Sequence, residues 1–420
     1  MKKRRDLKML WSSNAPHTNS GYATQTRDVL YRLLKDRWQV ACNGFWGGEG
    51  YPMHLESRPA HGELFKKEWE GLRLKVYPKM GEPFGADSMF YHGQDFKANA
   101  IVSMQDLGPL NPEFLSKIKV WIPWVPIDKD PVPPVVLDRL RYAYKIITFS
   151  KFGQKELEKK GYTSTLILEG VDTEIFKPKD KLQVRKELGL PENAFIFGMV
   201  AANKENPPRK GFQEALEAFK LFYDKHPEAI IMFHTQQQAP GNFPIKGFTD
   251  YLGITKQTFF MSDYHSIYLS DSETIAKEMN AFDVLLHPSQ TEGFGLTVIE
   301  AGACGIPVVV NDCTSMPEMV VDGVTGAISK AGKPRWASDN AWVYPADVNS
   351  LYEKMEEVYT LLSKNPAKVV KDCRDHVVKN YNIETTAKQW IELLEELQDE
   401  LMPEKQLTNT EKSSTIMQAK

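Results

Sequence analysis

The sequence predicts an α/β protein built as two doubly wound, Rossmann-like parallel-sheet domains facing a cleft, and three observations predict it. Its 420 residues exceed what one core supports, so two domains of roughly 200 residues each are the natural division. Short apolar, β-branched runs alternate with amphipathic stretches of helical spacing, the pattern of a parallel sheet with crossover helices. That alternation occurs twice, in two series separated by the polar, proline-containing stretch Asp172 to Asp180, where the linker is expected.

The first series offers strands at Leu7–Ser12, Gln39–Asn43, Ala100–Met104, Lys119–Val125 and Lys145–Phe149. Its first helix carries Val29, Leu30, Leu33 and Leu34 on one face. The second series offers strands at Phe195–Ala201, Ala229–His234, Gln257–Met261, Asp283–His287 and Pro307–Val310. Domains are therefore placed at residues 1–172 and 173–383, followed by a terminal helix over 384–402. The polar stretch 403–420 lacks apolar periodicity and is expected to be disordered.

With 52 basic and 55 acidic residues the net charge is −3, so no global field demands a nucleic-acid or membrane partner. Cys42, Cys304, Cys313 and Cys373 have neither metal-ligand spacing nor the density of a secreted disulfide scaffold, which makes a reducing cytoplasm the expected compartment. The basic run Lys2 to Arg5 is followed by only a short apolar stretch, Leu7 to Ser13. Neither a signal peptide nor a membrane span is expected, and the run reads as solvated charge with peripheral membrane contact left open.

The chemistry concentrates in His287-Pro288-Ser289-Gln290-Thr291-Glu292-Gly293-Phe294-Gly295-Leu296-Thr297-Val298-Ile299-Glu300-Ala301. An apolar strand precedes it and a helix follows, so the glycines fall at a strand-to-helix turn, where α/β folds bind ligands. Gly293 and Gly295 allow close backbone approach, and the free amides and dipole of the helix start favour an anion such as a diphosphate. A carboxylate beside phosphate would repel it. Glu292 and Glu300 therefore need hydroxyl partners, which a sugar nucleotide supplies at both ends: the transferred sugar for Glu292 and the ribose for Glu300. Thr297 and Glu300 share one helix face, with Leu296, Ile299 and Ala303 forming the adjoining apolar stripe.

This segment resembles the Glu-x7-Glu signature of retaining family-4 glycosyltransferases, which have the two-domain GT-B fold. The resemblance continues through the run Ala301 to Val310, through Pro317-Glu318 and through Asp322-Gly323-Val324-Thr325-Gly326. It implies that a nucleoside diphosphate sugar is held by the second domain, that the first is the acceptor side, and that the terminal helix packs back onto the first. Arg209-Lys210 resembles the family's basic pair, though here the arginine directly precedes the lysine, in a proline-bearing loop. Gly21 resembles the glycine loop that faces the donor, with one glycine where relatives often have more, and His17 is the loop's lone histidine.

Where many relatives place a histidine at a strand end facing the reacting sugar, this chain has Pro126-Ile127-Asp128, and Asp128 is the residue expected to orient sugar or acceptor. Glu169-Gly170-Val171-Asp172 resembles the family's Gly-Val-Asp element, with Glu169 where histidine or asparagine is common. The candidate catalytic residues are Asp128, Glu292 and Lys210. The candidate donor-binding residues are Gly21, Arg209, Lys210, Glu292, Gly293, Phe294, Gly295, Leu296, Thr297 and Glu300.

The implied reaction is a metal-independent, front-face transfer with retained configuration, in which the leaving diphosphate helps take the acceptor proton and domain closure assembles the site. Asp128-Lys129-Asp130 also matches the Asp-x-Asp metal motif of the other large glycosyltransferase fold, but it lies in the half opposite the long match. Glycoside hydrolases also use paired carboxylates, yet both must meet at one glycosidic bond. Two alternatives stay open: a noncatalytic nucleotide-sugar-binding protein, and a transferase acting on modified nucleic-acid bases. The acceptor is a glycan, lipid, small molecule, protein or nucleic acid. Phe45 to Tyr51, Trp121 and Trp124 offer aromatic surface, with buried core the expected place of the two tryptophans.

Overall fold

The computed structural model describes residues 5–48, 50, 53–55, 71–237, 241–261 and 271–403. The first sheet comprises β1 (Lys8–Asn14), β2 (Gln39–Trp46), β3 (Met53–Leu55), β4 (Leu74–Pro78), β5 (Ala100–Met104), β6 (Trp121–Val125), β7 (Ile147–Thr148) and β8 (Thr165–Leu166). Their spatial order is β3-β4-β2-β1-β5-β6-β7-β8, parallel throughout except that β3 runs antiparallel to β4. The second sheet is wholly parallel and has β9 (Phe195–Val200), β10 (Ala229–His234), β11 (Thr258–Phe260), β12 (Val284–His287), β13 (Val308–Asn311) and β14 (Gly326–Ser329). Its order is β11-β10-β9-β12-β13-β14.

Helices cover both faces, so central strands such as β5, β10 and β12 are buried along their whole length and read as continuous apolar runs. Helices that position the site are α1 (Gly21–Lys35), α2 (Lys151–Glu158), α3 (Phe212–Tyr223), α4 (Leu296–Ala303) and α5 (Ile383–Leu401). The Ser20 side chain caps α1 by accepting from the Ala23 amide at 3.1 Å. A two-stranded hairpin, β15 (Arg335–Trp336) with β16 (Trp342–Val343), stands outside both sheets.

The chain's far end returns to its beginning. Trp390 of α5 lies 4.9 Å from Trp11 and 5.3 Å from Trp124 between ring centroids, and both contacts are edge-on. The Gln398 side-chain carbonyl accepts from the amides of Asp6 and Leu7 at 2.7 and 3.2 Å. The chain crosses between the domains twice, and the crossings pair: the Val171 amide donates to Tyr381 O at 2.8 Å and the Ile383 amide to Val171 O at 3.1 Å.

Trp121 and Trp124 are fully buried, whereas Trp46 is 53% exposed. The expected disordered tail, from residue 404 onward, and Lys2 to Arg4 lie outside the described residues. Among the described residues, no helix is long and apolar enough to cross a membrane.

Candidate functional site

In each sheet the strand order reverses once beside the first strand of its series, between β1 and β5 and between β9 and β12. At such a point the flanking connections leave in opposite directions, and a crevice opens beyond the strands' C-terminal ends. In the second domain β9 leads to Arg209 and Lys210 ahead of α3, and β12 leads to the turn Pro288 to Gly295 ahead of α4. In the first, β1 leads to Ser20, Gly21 and Tyr22, β5 to Gln105 and Asp106, and β6 to Asp128. The two crevices meet. A Cβ added to Gly293 would stand 2.7 Å from Pro126 Cβ, and one added to Gly21 would stand 3.0 Å from Leu296 Cδ1.

The tip of α4 depends on a glycine. Gly295, just before the helix, has φ of +120°, and a Cβ there would stand 2.6 Å from Met316 Cε. Behind the turn, Ser315 Oγ donates to the carbonyls of Glu292 and Phe294 at 2.9 and 2.8 Å. Thr314 Oγ1 donates to the Glu292 carbonyl at 2.9 Å and accepts from its amide at 3.0 Å. Carbonyls are thus taken up by protein. The amides of Gly293, Phe294, Gly295, Leu296 and Thr297 have no acceptor among the described residues. A buried helix tip with unspent donors is suited to receive an anion. Sequence reasoning gave both glycines to the ligand, but the structure shows their missing Cβ atoms also making room for Pro126 and Met316.

Glu292 is 9% exposed and surrounded by cations. Its Oε1 is ion-paired with Lys210 Nζ and lies 3.7 Å from Arg209 Nη1 and 3.3 Å from His287 Nε2. Burial alone would raise this carboxyl, but Lys210, Arg209 and His287 together hold it well below the usual carboxylate range. The Lys210 ammonium is lowered by burial, which outweighs the attraction of Glu292. The sequence places Lys210 among the donor-binding candidates and gives Glu292 to the sugar, and the structure pairs them with each other. Arg209 donates to the Thr291 carbonyl at 2.7 Å, and the Gln290 amide donates to Arg209 O at 2.8 Å, so the two loops are bound into one surface.

His287 ends β12, with Nε2 3.2 Å from Ser289 Oγ and Nδ1 3.0 Å from Thr297 Oγ1. Burial lowers its pKa and leaves the ring neutral beside the Glu292 carboxylate. It stood in the motif without an assigned role, and its position one strand-end away from Glu292 was the signal available. Glu300, one turn into α4, is pushed up to about 8, first by burial and then by Asp28 of α1 across the cleft. Asp128 is raised by burial, opposed by Arg209 and Lys129.

Tyr22, Asp106 and Glu169 also border the crevice. The Tyr22 hydroxyl donates to Asp106 Oδ1 at 3.2 Å. Glu169 is held well above its ordinary value by burial, then by Glu292 and Glu300. His17 lies aside, with its Nε2 2.9 Å from the Gly47 carbonyl. Among the described residues, no group of three or more His, Cys, Asp or Glu is placed to hold a metal ion.

The comparisons with known proteins bear on the second domain and on the fold. Residues 180–340 match the family described as glycosyl transferases group 1. D-inositol 3-phosphate glycosyltransferase of Mycolicibacterium gilvum is 31% identical over 182 residues, 42% of this chain and 38% of that protein. The protein of the same description from Mycobacterium leprae is 32% identical over 162 residues, 38% of this chain and 35% of that one. The matched stretch thus spans well under half of these relatives' length. Among solved structures, a glycosyltransferase from Rickettsia africae superposes with a TM-score of 0.69 at 15% identity, covering 95% of this chain and 100% of the other. Sucrose-phosphate synthase from Thermosynechococcus elongatus gives 0.69 at 17%, covering 93% and 99%. Anabaena HepE, solved with UDP and glucose, gives 0.66 at 17%, covering 93% and 100%. At these identities what is shared is the fold, the GT-B arrangement of two Rossmann-like domains. The matched residues 180–340 lie within the second domain, which is thus similar to the group 1 glycosyl transferases.

Proposed function

We propose that the protein transfers a sugar from a nucleoside diphosphate sugar to an acceptor hydroxyl, with retained anomeric configuration and without a metal. The observation that carries this reading is the Arg209–Lys210–Glu292 cluster beside an α4 tip whose amides lack acceptors. The diphosphate takes those amides, and Arg209 and Lys210 offset its charge, which grows on the leaving oxygen as the glycosidic bond breaks. As phosphate engages Lys210, Glu292 is freed to accept from a hydroxyl of the transferred sugar. Glu300 takes the ribose hydroxyls, and Gly21 keeps the first-domain wall clear of the donor. Asp128 orients the reacting sugar or acceptor, whose proton passes to the leaving phosphate on the same face. That Anabaena HepE was solved with UDP-glucose makes this donor the first probe.

The test is transfer and donor binding in Lys210→Met and Glu292→Gln. Transfer is expected to fall by about 10²–10³-fold in each, as when one preorganised transition-state contact is removed. Unchanged turnover in either folded variant rejects the assignment.

A further inference from the structure

The first-domain wall of the cleft carries acids that the donor does not use. Tyr22 and Asp106 stand on either side of the β1/β5 crevice, joined by the 3.2 Å hydrogen bond. Beside Asp106, Gln105 is 1% exposed and its Oε1 is buried with no partner among the described residues. One turn along α1 from Tyr22, the Gln25 side chain clasps the Gly170 peptide, donating to its carbonyl and accepting from its amide at 3.1 Å. That clasp fixes Glu169, which is 3% exposed and has no hydrogen-bond partner among the described residues. A buried amide oxygen without a donor marks a place where a ligand supplies a hydroxyl proton, and a carboxyl kept protonated by burial can donate to a hydroxyl in turn.

The charge of the wall decides which ligand. Tyr22 is raised by burial and then by Asp106, Glu169 and Asp128, and Glu169 by burial and then by Glu292 and Glu300, so the neighbours of this wall are acids. The cations closest to Asp128 are engaged elsewhere, Lys129 with Asp339 and Arg209 with Thr291 O and Glu292. A phosphate placed here would meet the Asp106 carboxylate, with that of Glu292 behind it, and no spare cation, whereas vicinal hydroxyls would donate to Gln105 Oε1 and Asp106 and accept from Glu169, which burial keeps protonated.

Resting on the glycosyltransferase reading, we infer that Tyr22, Gln105, Asp106 and Glu169 form an acceptor subsite for an uncharged polyol, a sugar or cyclitol face, and that it rejects phosphorylated acceptors. In this it differs from relatives whose description names an inositol phosphate. The polyol is either free or the end of a glycan.

The full-length protein is titrated calorimetrically, with and without UDP, against glycerol, myo-inositol, glucose and maltotriose, and against glycerol 3-phosphate, inositol 3-phosphate and glucose 6-phosphate. UDP binding by itself reads the nucleotide-sugar assignment, and the acceptor arms without UDP read this one. At least one neutral member is expected to bind, its phosphorylated counterpart at least about tenfold more weakly. Asp106→Asn should narrow that gap to about threefold or less, whereas Glu169→Gln, which replaces a protonated carboxyl, should weaken the neutral member and leave the gap. Preference for glucose or for maltotriose separates a free polyol from a glycan end. A phosphorylated member binding as tightly as its neutral partner, failure of every neutral member to bind, or a gap unchanged in Asp106→Asn overturns the inference.

Discussion

Glu318 and Phe152 join the two domains: the Glu318 carboxylate accepts from the Phe152 amide at 2.5 Å and from the Lys151 amide at 2.9 Å, at the first turn of α2. An acid of the second domain thus caps a helix of the first, beside that helix's own cap, Ser150. Glu318→Ala is expected to lower unfolding stability by about 1–2 kcal/mol and to enlarge the radius of gyration in solution scattering. An unaltered melting temperature and radius would show the contact to be idle.

The Lys210–Glu292 pair is buried, so removing one partner strands the other. Glu292→Gln or Lys210→Met alone is expected to destabilise the protein by about 3–5 kcal/mol, whereas the double variant recovers most of that loss. Transfer stays lost in all three. Denaturant unfolding beside a transfer assay distinguishes this from simple additivity, in which the double variant would be the least stable.

The two glycines of the turn should fail differently. Gly295→Ala forces a side chain into φ of +120° against Met316, and a loss of about 1–3 kcal/mol is expected from strain of this kind. Gly293→Ala instead pushes a methyl against Pro126 of the other domain, so kcat/KM should drop with little change in melting temperature. Equal thermal losses in both would contradict this division.

Glu300 makes stability and donor affinity depend on pH in opposite senses. Its folded pKa is about 8, against roughly 4.3 in an unfolded chain, so between those values the folded state holds a proton that the unfolded state has released. Stability from this group is therefore greatest below the lower value and declines as pH rises through the upper one. Ribose hydroxyls donate to the ionised form, so donor binding expels the proton and UDP-glucose affinity rises from about pH 6 to about pH 8. Melting curves and titrations of wild type beside Glu300→Gln check both slopes, and parallel slopes in the two proteins would sink the argument.

Much of the fold was legible because strand and helix leave local periodicities. Ala100–Met104 and Ala229–His234 are observed as read, and Gln39–Asn43 extends to Trp46. The strands β3 and β8 and the hairpin β15/β16 were missed, since two or three residues carry no period, and the longer β4 and β14 were missed as well. Glu292, Gly293, Gly295 and Glu300 could be singled out because they lie within one turn and its helix. Tyr22 and Asp106 could not, because they meet across 84 residues of chain and each is ordinary in its own neighbourhood. Pairing Lys210 with Glu292 likewise needed β9 and β12 as neighbours, a fact of sheet order that no local spacing encodes.

The paired crossings at Val171 and Ile383 act as a double hinge pin. Two crossings tied by a pair of backbone hydrogen bonds share one line of bending. A swing of the cleft about that pin is the motion those bonds would permit, and it would bring the acidic wall and the basic loop back into the same register.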